Sequence, residues 1–393
     1  PIVSMKNVRG REYMTKSRLF GILLAVLTCM AAGTGQIIES VDGVRIVHNK
    51  KGGEWGKDPK VKIELVRTIG DVDTDDENLA FDTPADLEVD GTGNIYIADS
   101  GNQRIQVFDP EGRYVRTIGR MGQGPGEFMA TNSIDFDSEA RLLVLDSRQR
   151  RIQVFTSRGV VAKTIPVPNL GIRQMRLLHS GEIAMKSFES GPKLVKLLDA
   201  DLAVRLEFGE PFDYGDKTTN SVGNSWDFAV DDKDNVYLCF RFQNRIEKYS
   251  TEGQLLWRAD REINFPAKLI EKGRQDGNRT YYPKFNQVAR DLAVDDSGRT
   301  WVVTCDRQIK KEEEVVIMVS GGVNRSEMRK TVGDTDLRMT DMYKLEVFAS
   351  DGVLLGEIPL MYFVDRIWIH KNRLFLLDSD RGVKFYEYRI SGL

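Results

Sequence analysis

The segment PADLEVDGTGNIYIADSGNQRIQVFDPEGRYVRTIG at residues 84–119 is repeated further along the chain. Residues 131–165 read TNSIDFDSEARLLVLDSRQRRIQVFTSRGVVAKTI, and the two segments align without a gap and share RIQVF. Repetition at this period indicates stacked supersecondary units, each of which needs its neighbours to bury its apolar face.

Each copy predicts four short antiparallel strands. In the first copy, apolar residues alternate in Asn94–Asp99 and in Arg104–Asp109, and the glycine-centred turns GTG and PEG separate neighbouring strands. Period-two alternation bounded by such turns is typical of a β meander. We therefore interpret the repeat as a four-stranded blade.

Weaker copies continue to the end of the chain. Together with the first two, they predict six blades at approximately 84–119, 131–165, 172–209, 226–258, 290–358 and 364–390. The sixth copy stops one strand short, and KIELVRTIG at 62–70 matches the last strand of the first copy. An N-terminal strand that completes the last blade would close the ring and leave no open sheet edge. We predict an all-β protein, a six-bladed β-propeller of four-stranded antiparallel blades, formed by residues 36–393 as one domain.

These residues resemble the NHL-repeat propellers, particularly the six-bladed branch that bacteria secrete. The matching pieces are VDGTGNIYIADSGNQRIQVFDPEGRYVRTIG and the following GQGPGEF at 122–128. The resemblance is strong in the first two blades, good in the fourth and partial in the others. Because it is a match of fold, it implies architecture far more than activity.

Residues 1–35 are expected to be a leader and signal peptide. A basic start, MTKSR, precedes the apolar run LFGILLAVLTCM, and small residues follow. This run is short for a membrane span and typical of a secretory signal. We predict that Met14 is the initiator and that the mature protein is extracytoplasmic, that is periplasmic, on the cell surface or secreted. Cys29 gives a weak lipoprotein signal, and cleavage near Gly33 or Gly35 without lipidation is the favoured alternative.

The charge balance bears on the class of partner. The chain has 41% hydrophobic and 29% charged residues, as ordinary globular proteins do. Without residues 1–35, 51 basic residues face 58 acidic ones, a net charge of −7. This balance, and a sequence without a basic stripe interleaved with aromatics, argues against nucleic acid as a partner. No later run is apolar enough to span a membrane, and a closed ring favours a monomer.

The connecting segments differ between the two faces of a propeller. Turns that join strands one to two and three to four lie on one face, and here they are uniformly short, as in GTG, PEG and DKD. Links between blades and loops that join strands two to three lie on the other face. Long ones occur at 70–84, 209–225, 259–290 and roughly 305–343. Long loops in a compact domain are usually functional, so we predict that this long-loop face binds the ligand.

The repeat alignment also predicts one residue per blade at the start of the innermost strand, which lines the central channel. These residues are Asp86, Ser133, Gln174, Asp227, Asp291 and Asp365. The four aspartates could form a ring at the channel mouth that holds Ca²⁺ or another divalent cation, or a cationic ligand group. Alternatively, each aspartate accepts hydrogen bonds from backbone N–H groups and has a structural role. Beyond such a cation, no cofactor is expected.

Aromatic residues are predicted on the same face. They are Phe212, Tyr214, Trp226, Tyr281, Tyr282 and Phe285. Such a cluster could stack on sugars, clamp a peptide or fix the long loops in place. The residue types alone do not separate these roles.

Two classes of function are compatible with these features. Propellers related to the NHL family include lactonases and a peptide-amidating lyase with metals in the central channel. A histidine-based zinc site needs several converging imidazoles, and His48, His179 and His370 are predicted away from the long-loop face. We therefore predict a non-enzymatic recognition propeller for a peptide, protein or glycan. The alternative is a metal-dependent hydrolase or lyase that uses Asp86, Asp227, Asp291 and Asp365 as ligands.

Overall fold

The computed structural model describes residues 36–392 apart from 72, 188–190, 277–278, 315–316, 323–324, 331–336 and 380. The expected leader, with Met14 and Cys29, therefore lies outside the described residues. Nearly all regular structure in the described residues is β-strand, and six antiparallel sheets form the six blades of a propeller. The predicted fold class is confirmed.

Each blade contributes four consecutive or near-consecutive strands, numbered outward from the channel. Blade 1 contains Pro84–Val89, Ile95–Asp99, Arg104–Phe108 and Tyr114–Ile118; blade 2 contains Thr131–Phe136, Leu142–Asp146, Arg151–Phe155 and Val161–Pro166; blade 3 contains Ile172–Leu177, Ile183–Ser187, Val195–Leu198 and Val204–Phe208. Blade 4 contains Trp226–Val230, Val236–Phe240, Ile246–Tyr249 and Leu255–Arg261; blade 5 contains Ala289–Val294, Thr300–Cys305, Tyr343–Phe348 and Leu354–Pro359. Blade 6 contains Arg366–His370, Arg373–Asp378 and Lys384–Ser391, and its outer strand is Lys62–Ile69.

The outer strand of blade 6 closes the ring as predicted. Lys62–Ile69 pairs antiparallel with Lys384–Ser391, with Ile63 opposite Ile390 and Ile69 opposite Phe385. Ile69 is buried with Phe385 in the cluster between blades 6 and 1. The N- and C-terminal parts of the propeller therefore share one sheet.

A second N-terminal element was not predicted. Ile37–Val41 and Val44–Asn49 form a hairpin, and Val44–Asn49 pairs in parallel with Leu255–Arg261, so the sheet of blade 4 has six strands. The Asn49 side chain donates to the Gly352 carbonyl at 3.0 Å and accepts from the Leu354 N–H at 2.7 Å. The hairpin is thereby also fixed to blade 5.

The core lies between neighbouring blades, where their flat faces pack against each other. Ile105 of blade 1 and Ile134 of blade 2, for example, belong to one buried cluster. The bulkiest fully buried side chain is Trp301 of blade 5. This packing leaves the channel-facing sides of the innermost strands free for polar residues.

All additional regular elements of the described residues lie in the links and two-to-three loops of the long-loop face. They are the strands Arg120–Met121 and Glu127–Phe128, the helix Lys217–Gly223, the strands Leu269–Glu271, Arg274–Asp276, Arg279–Tyr281 and Lys284–Phe285, the 3₁₀ helix Lys311–Glu313, and the hairpin of Ile317–Gly322 with Arg325–Lys330. The opposite face carries short turns such as Asp231–Asn235, in which an aspartate accepts from the turn backbone. We call this opposite face the short-turn face.

Candidate functional site: the channel mouth on the long-loop face

The channel opens on the long-loop face into a cavity of about 570 Å³. We call this cavity the mouth. Starts of innermost strands, the helix Lys217–Gly223 and the ends of second strands line it. A second cavity of about 500 Å³ occupies the channel toward the short-turn face. Gln174 and Arg366 line both cavities and therefore lie between them.

The strand register identifies the channel-facing column and corrects one prediction. Asp86, Ser133, Gln174, Asp227 and Asp291 occupy equivalent positions opposite the second strands of their blades. In blade 6 this position belongs to Arg366, which pairs with Leu377, and not to Asp365. Aligning the blades by their aspartates shifted blade 6 by one residue. The alternation of Ile367 and Ile369 with Leu87 and Val89 gives the correct register.

Asp86 is a structural hub between four blades. Its carboxylate accepts from Ser133 Oγ at 2.7 Å and from the Ile134 N–H at 3.0 Å in blade 2. Arg176 of blade 3 donates two hydrogen bonds, at 2.8 and 2.9 Å, and Trp368 Nε1 of blade 6 donates at 2.9 Å. Asp86 is fully buried, and these contacts satisfy its oxygens. The structural interpretation of the column therefore applies at this position.

Arg176 also draws two further carboxyl groups into the channel. Burial and then the charge of Asp135 raise the pKa of Glu88 well above its ordinary value, although Arg176 opposes this. Burial raises the pKa of Asp135 to about 6, again against the effect of Arg176. By contrast, burial of Asp86 is outweighed by Arg176, so the pKa of Asp86 is lowered. Three carboxyl groups thus share one guanidinium.

Asp227 and Asp291 lie near each other but differ in charge state. Asp227 accepts from Lys186 Nζ at 2.6 Å. Burial raises its pKa, but Lys186 and the neighbouring arginines outweigh burial, and the net pKa is lowered. Burial and then repulsion from Asp227 raise the pKa of Asp291 to about 7. Asp291 accepts from the Ile367 N–H of blade 6 at 3.1 Å, a brace like that from Asp86 to blade 2.

Asp365 lies at the mouth without facing the channel column. It forms an ion pair with Arg290 and accepts from the Ser379 N–H at 2.9 Å and from Ser379 Oγ at 2.7 Å. Its carboxylate is therefore engaged by blades 5 and 6. It is fixed in the blade link and does not point freely into the cavity.

The sequence analysis missed the cations of the mouth. Arg173, Lys186, Arg241 and Arg366 line it, against only Asp227 and Asp365. Each cation stands at the start of an innermost strand or the end of a second strand, next to a residue that the repeat alignment had already placed there. A search of those positions for basic as well as acidic residues would have found them.

Several polar atoms of the mouth lack partners among the described residues. Gln174 Oε1, Ser187 Oγ and Arg241 Nε are buried without a hydrogen bond, and all three residues line the cavity. Buried polar atoms are nearly always satisfied, so such a group of exceptions needs a bound partner such as water or a ligand. The three atoms therefore mark the mouth as a binding site.

The predicted aromatics separate into three sets. Phe212, Tyr214 and Phe285 form one cluster, with ring centroids 4.7 Å apart for Phe212 and Tyr214 and 5.2 Å apart for Tyr214 and Phe285. Phe242, which was not predicted, stacks on Phe285 at 5.0 Å. Trp226 lines the mouth, although it is mostly buried.

Tyr281 and Tyr282 form the third set. Tyr282 is 68% exposed on the 262–288 link. Tyr281 packs under Arg274, whose guanidinium carbon lies 4.6 Å from the ring centroid.

The aspartates do not converge on a metal geometry. Among the described residues, no group of three or more His, Cys, Asp or Glu side chains is placed to hold a metal ion. Asp86 is occupied by Arg176, and Asp227 by Lys186. A divalent cation would also face the positive charges of the mouth, which disfavours it there.

Comparisons with known proteins agree on the architecture. A family model described as a 6-bladed beta-propeller matches residues 71–182, which contain blades 1 and 2. No curated protein matches the chain. A solved structure of a DUF4221-family member from Bacteroides vulgatus is 12% identical, with a TM-score of 0.54 over 84% of this chain and 98% of that one.

Two further solved structures have similar coverage. A protein described as exported from Bacteroides fragilis is 13% identical, with a TM-score of 0.53 over 88% of this chain and 99% of that one. Virginiamycin B lyase from Staphylococcus aureus is 12% identical, with a TM-score of 0.45 over 84% and 99%. Identities this low show the fold alone. The resemblance to NHL repeats stays a prediction within the six-bladed propellers.

Membrane insertion was examined through the helices. Within the part of the chain that the structure describes, no helix has the length and apolarity to cross a membrane.

Proposed function

We propose that this protein is an exported, non-enzymatic recognition propeller that binds a glycan in the mouth on the long-loop face. The observation that carries this proposal is the lining of the mouth. Nine of its nineteen lining residues are neutral hydrogen-bonding residues, among them Ser100, Asn132, Gln174, Ser187, Ser221 and Ser225. A wall rich in hydroxyl and amide groups suits a ligand that carries many hydroxyl groups.

The size and shape of the mouth support a small or chain-end ligand. Ligand pockets typically enclose roughly 300–1,000 Å³, and the mouth measures about 570 Å³. A folded protein partner would require a broad complementary surface, whereas this site is concave. Exposed aromatics on the surrounding links, Phe212 at 54% and Tyr282 at 68% exposure, provide surfaces on which sugar rings could stack.

The residues of the mouth favour binding over catalysis. Glycoside hydrolysis needs a pair of carboxyl groups, one of which is protonated and acts as a general acid. Asp227 is held ionised by Lys186, and Asp365 is paired with Arg290. No histidine lines the mouth. The secretion signal predicted for residues 1–35 supports export, as does the fold shared with a protein described as exported.

A steric block tests the location and the ligand class. Ser221 is exposed on the helix at the mouth, and Ser138 is exposed on a short turn of the opposite face. We expect wild-type protein and Ser138→Trp to bind the same members of a glycan array, and Ser221→Trp to lose that binding by at least tenfold. The melting temperatures of all three proteins should agree within a few degrees.

Two results would contradict the proposal. Retention of full glycan binding by Ser221→Trp would place the site elsewhere. Binding to a parallel peptide array, with none to glycans, would assign another ligand class.

A further inference from the structure

We infer that the ligand is an acidic glycan, whose carboxylate or sulfate group is held by the guanidinium groups of Arg241 and Arg366 in the mouth. This inference rests on the proposed glycan site and specifies its chemistry. The two sources of negative charge, a uronate carboxylate and a sulfate ester, share the same recognition by arginine.

The first argument is the absence of protein partners. Neither guanidinium forms a hydrogen bond or an ion pair with any residue that the structure describes. Arg241 Nε is buried without a hydrogen bond. Nearly all other buried or half-buried arginines of the channel are engaged; Arg176 pairs with Asp86 and Arg290 with Asp365. Arg241 and Arg366 thus differ from their neighbours.

The second argument is the charge around these arginines. Burial, then the positive charge of Arg290, lowers the pKa of Arg241. Burial and Arg366 likewise lower the pKa of Arg173. Asp227 attracts Arg241 and Arg366, but Lys186 already occupies one of its oxygens. A positive excess remains, which an anion would neutralise.

The third argument is cost. Cations that are taken out of water without a partner destabilise a folded protein. Such an arrangement is typical of functional sites, where a bound ligand supplies the missing interaction. Gln174 Oε1 and Ser187 Oγ, also without partners, are placed to bond the hydroxyl groups of the same sugar.

The opposite end of the channel has the opposite charge. The cavity toward the short-turn face is lined by acidic residues that include Glu88, Asp135, Asp232 and Asp296. An anionic ligand is therefore repelled from that side and attracted to the long-loop side. The polarity of the channel agrees with entry through the mouth.

Calorimetric titration with small probes tests the inference. We would use glucuronate, glucose 6-sulfate and glucose at constant ionic strength, with wild type, Arg241→Gln, Arg366→Gln and the control Arg158→Gln. Arg158 is exposed on a turn of the short-turn face. A hydrogen bond to a charged group contributes about 1.5–3 kcal/mol, so each mouth variant should bind the acidic sugars at least tenfold more weakly. Arg158→Gln should bind them like wild type.

Stability provides an independent readout. Because Arg241 and Arg366 lose no ion pair when they are neutralised, both variants should melt at or above the wild-type temperature. Glucuronate binding compared with glucose 6-sulfate binding identifies the preferred source of charge.

The two failures are distinguishable. If glucose, or a neutral glycan on the array, binds as tightly as the acidic sugars and Arg241→Gln has no effect, the charge inference is wrong while the glycan site stands. If acidic sugars bind with full affinity to Ser221→Trp, both proposals are wrong. A loss of stability of several degrees in Arg241→Gln or Arg366→Gln would indicate a structural role for that arginine instead.

Discussion

A chain that begins at Asp71 is expected to lose the folded ring completely. It lacks Lys62–Ile69, so the outer edge of Lys384–Ser391 becomes unpaired and the two ends of the propeller are no longer joined. An open edge of this length also promotes association between molecules. Circular dichroism melts and size-exclusion chromatography should show no cooperative transition and a largely aggregated protein.

A chain that begins at Lys50 is the matched control. It loses only the hairpin on blade 4, including buried Val47 and the two bonds of Asn49. Burial of one valine and two buried hydrogen bonds correspond to a loss on the order of 3–5 kcal/mol. This protein should remain monomeric and melt cooperatively at a lower temperature. Equal behaviour of the two truncated chains would show that the outer strand of blade 6 does not close the ring.

Replacement of Asp86 by alanine is expected to cost about 3–5 kcal/mol, the usual effect of removing one partner of a buried ion pair. Arg176 then remains in the channel without its main partner, and Trp368 Nε1 and the Ile134 N–H lose their acceptor. In a domain of this size each kcal/mol lowers the melting temperature by about 2–4 °C. Thermal melts should therefore show a fall on the order of 10 °C.

Two further variants establish the cause. Asp201→Ala changes an exposed turn carboxylate and should alter stability by about 0.5 kcal/mol or less. Asp86→Ala combined with Arg176→Met removes the uncompensated charge and should recover part of the loss. If Asp86→Ala melts like Asp201→Ala, Asp86 is not a hub between blades.

The sequence predicts the fold because the repeat is local. Alternation within each blade and the match between 62–70 and the first copy are sufficient for six blades and a closed ring. The hairpin of Ile37–Val41 and Val44–Asn49 has no counterpart in the repeat, and its partner strand Leu255–Arg261 is about 200 residues away. No periodicity reports such a pairing.

The candidate site was predicted in part for the same reason. The repeat places channel residues in five of six blades, but its aspartates suggested a ring of free carboxylates. Their partners come from other blades: Arg176 and Trp368 are 90 and 282 residues from Asp86. Local patterns do not contain these contacts, so the sequence could not show that Asp86 is satisfied while Arg241 and Arg366 are not.

The most direct test of the central claim, that the mouth holds an oxyanion on its unpaired arginines, is anomalous diffraction from crystals soaked in selenate. Selenate has the shape and charge of sulfate, and its selenium can be located without bias. We predict a peak in the mouth with oxygens within hydrogen-bonding distance of the Arg241 and Arg366 guanidinium groups. Selenate peaks at exposed surface arginines alone, with none in the mouth, would contradict the account.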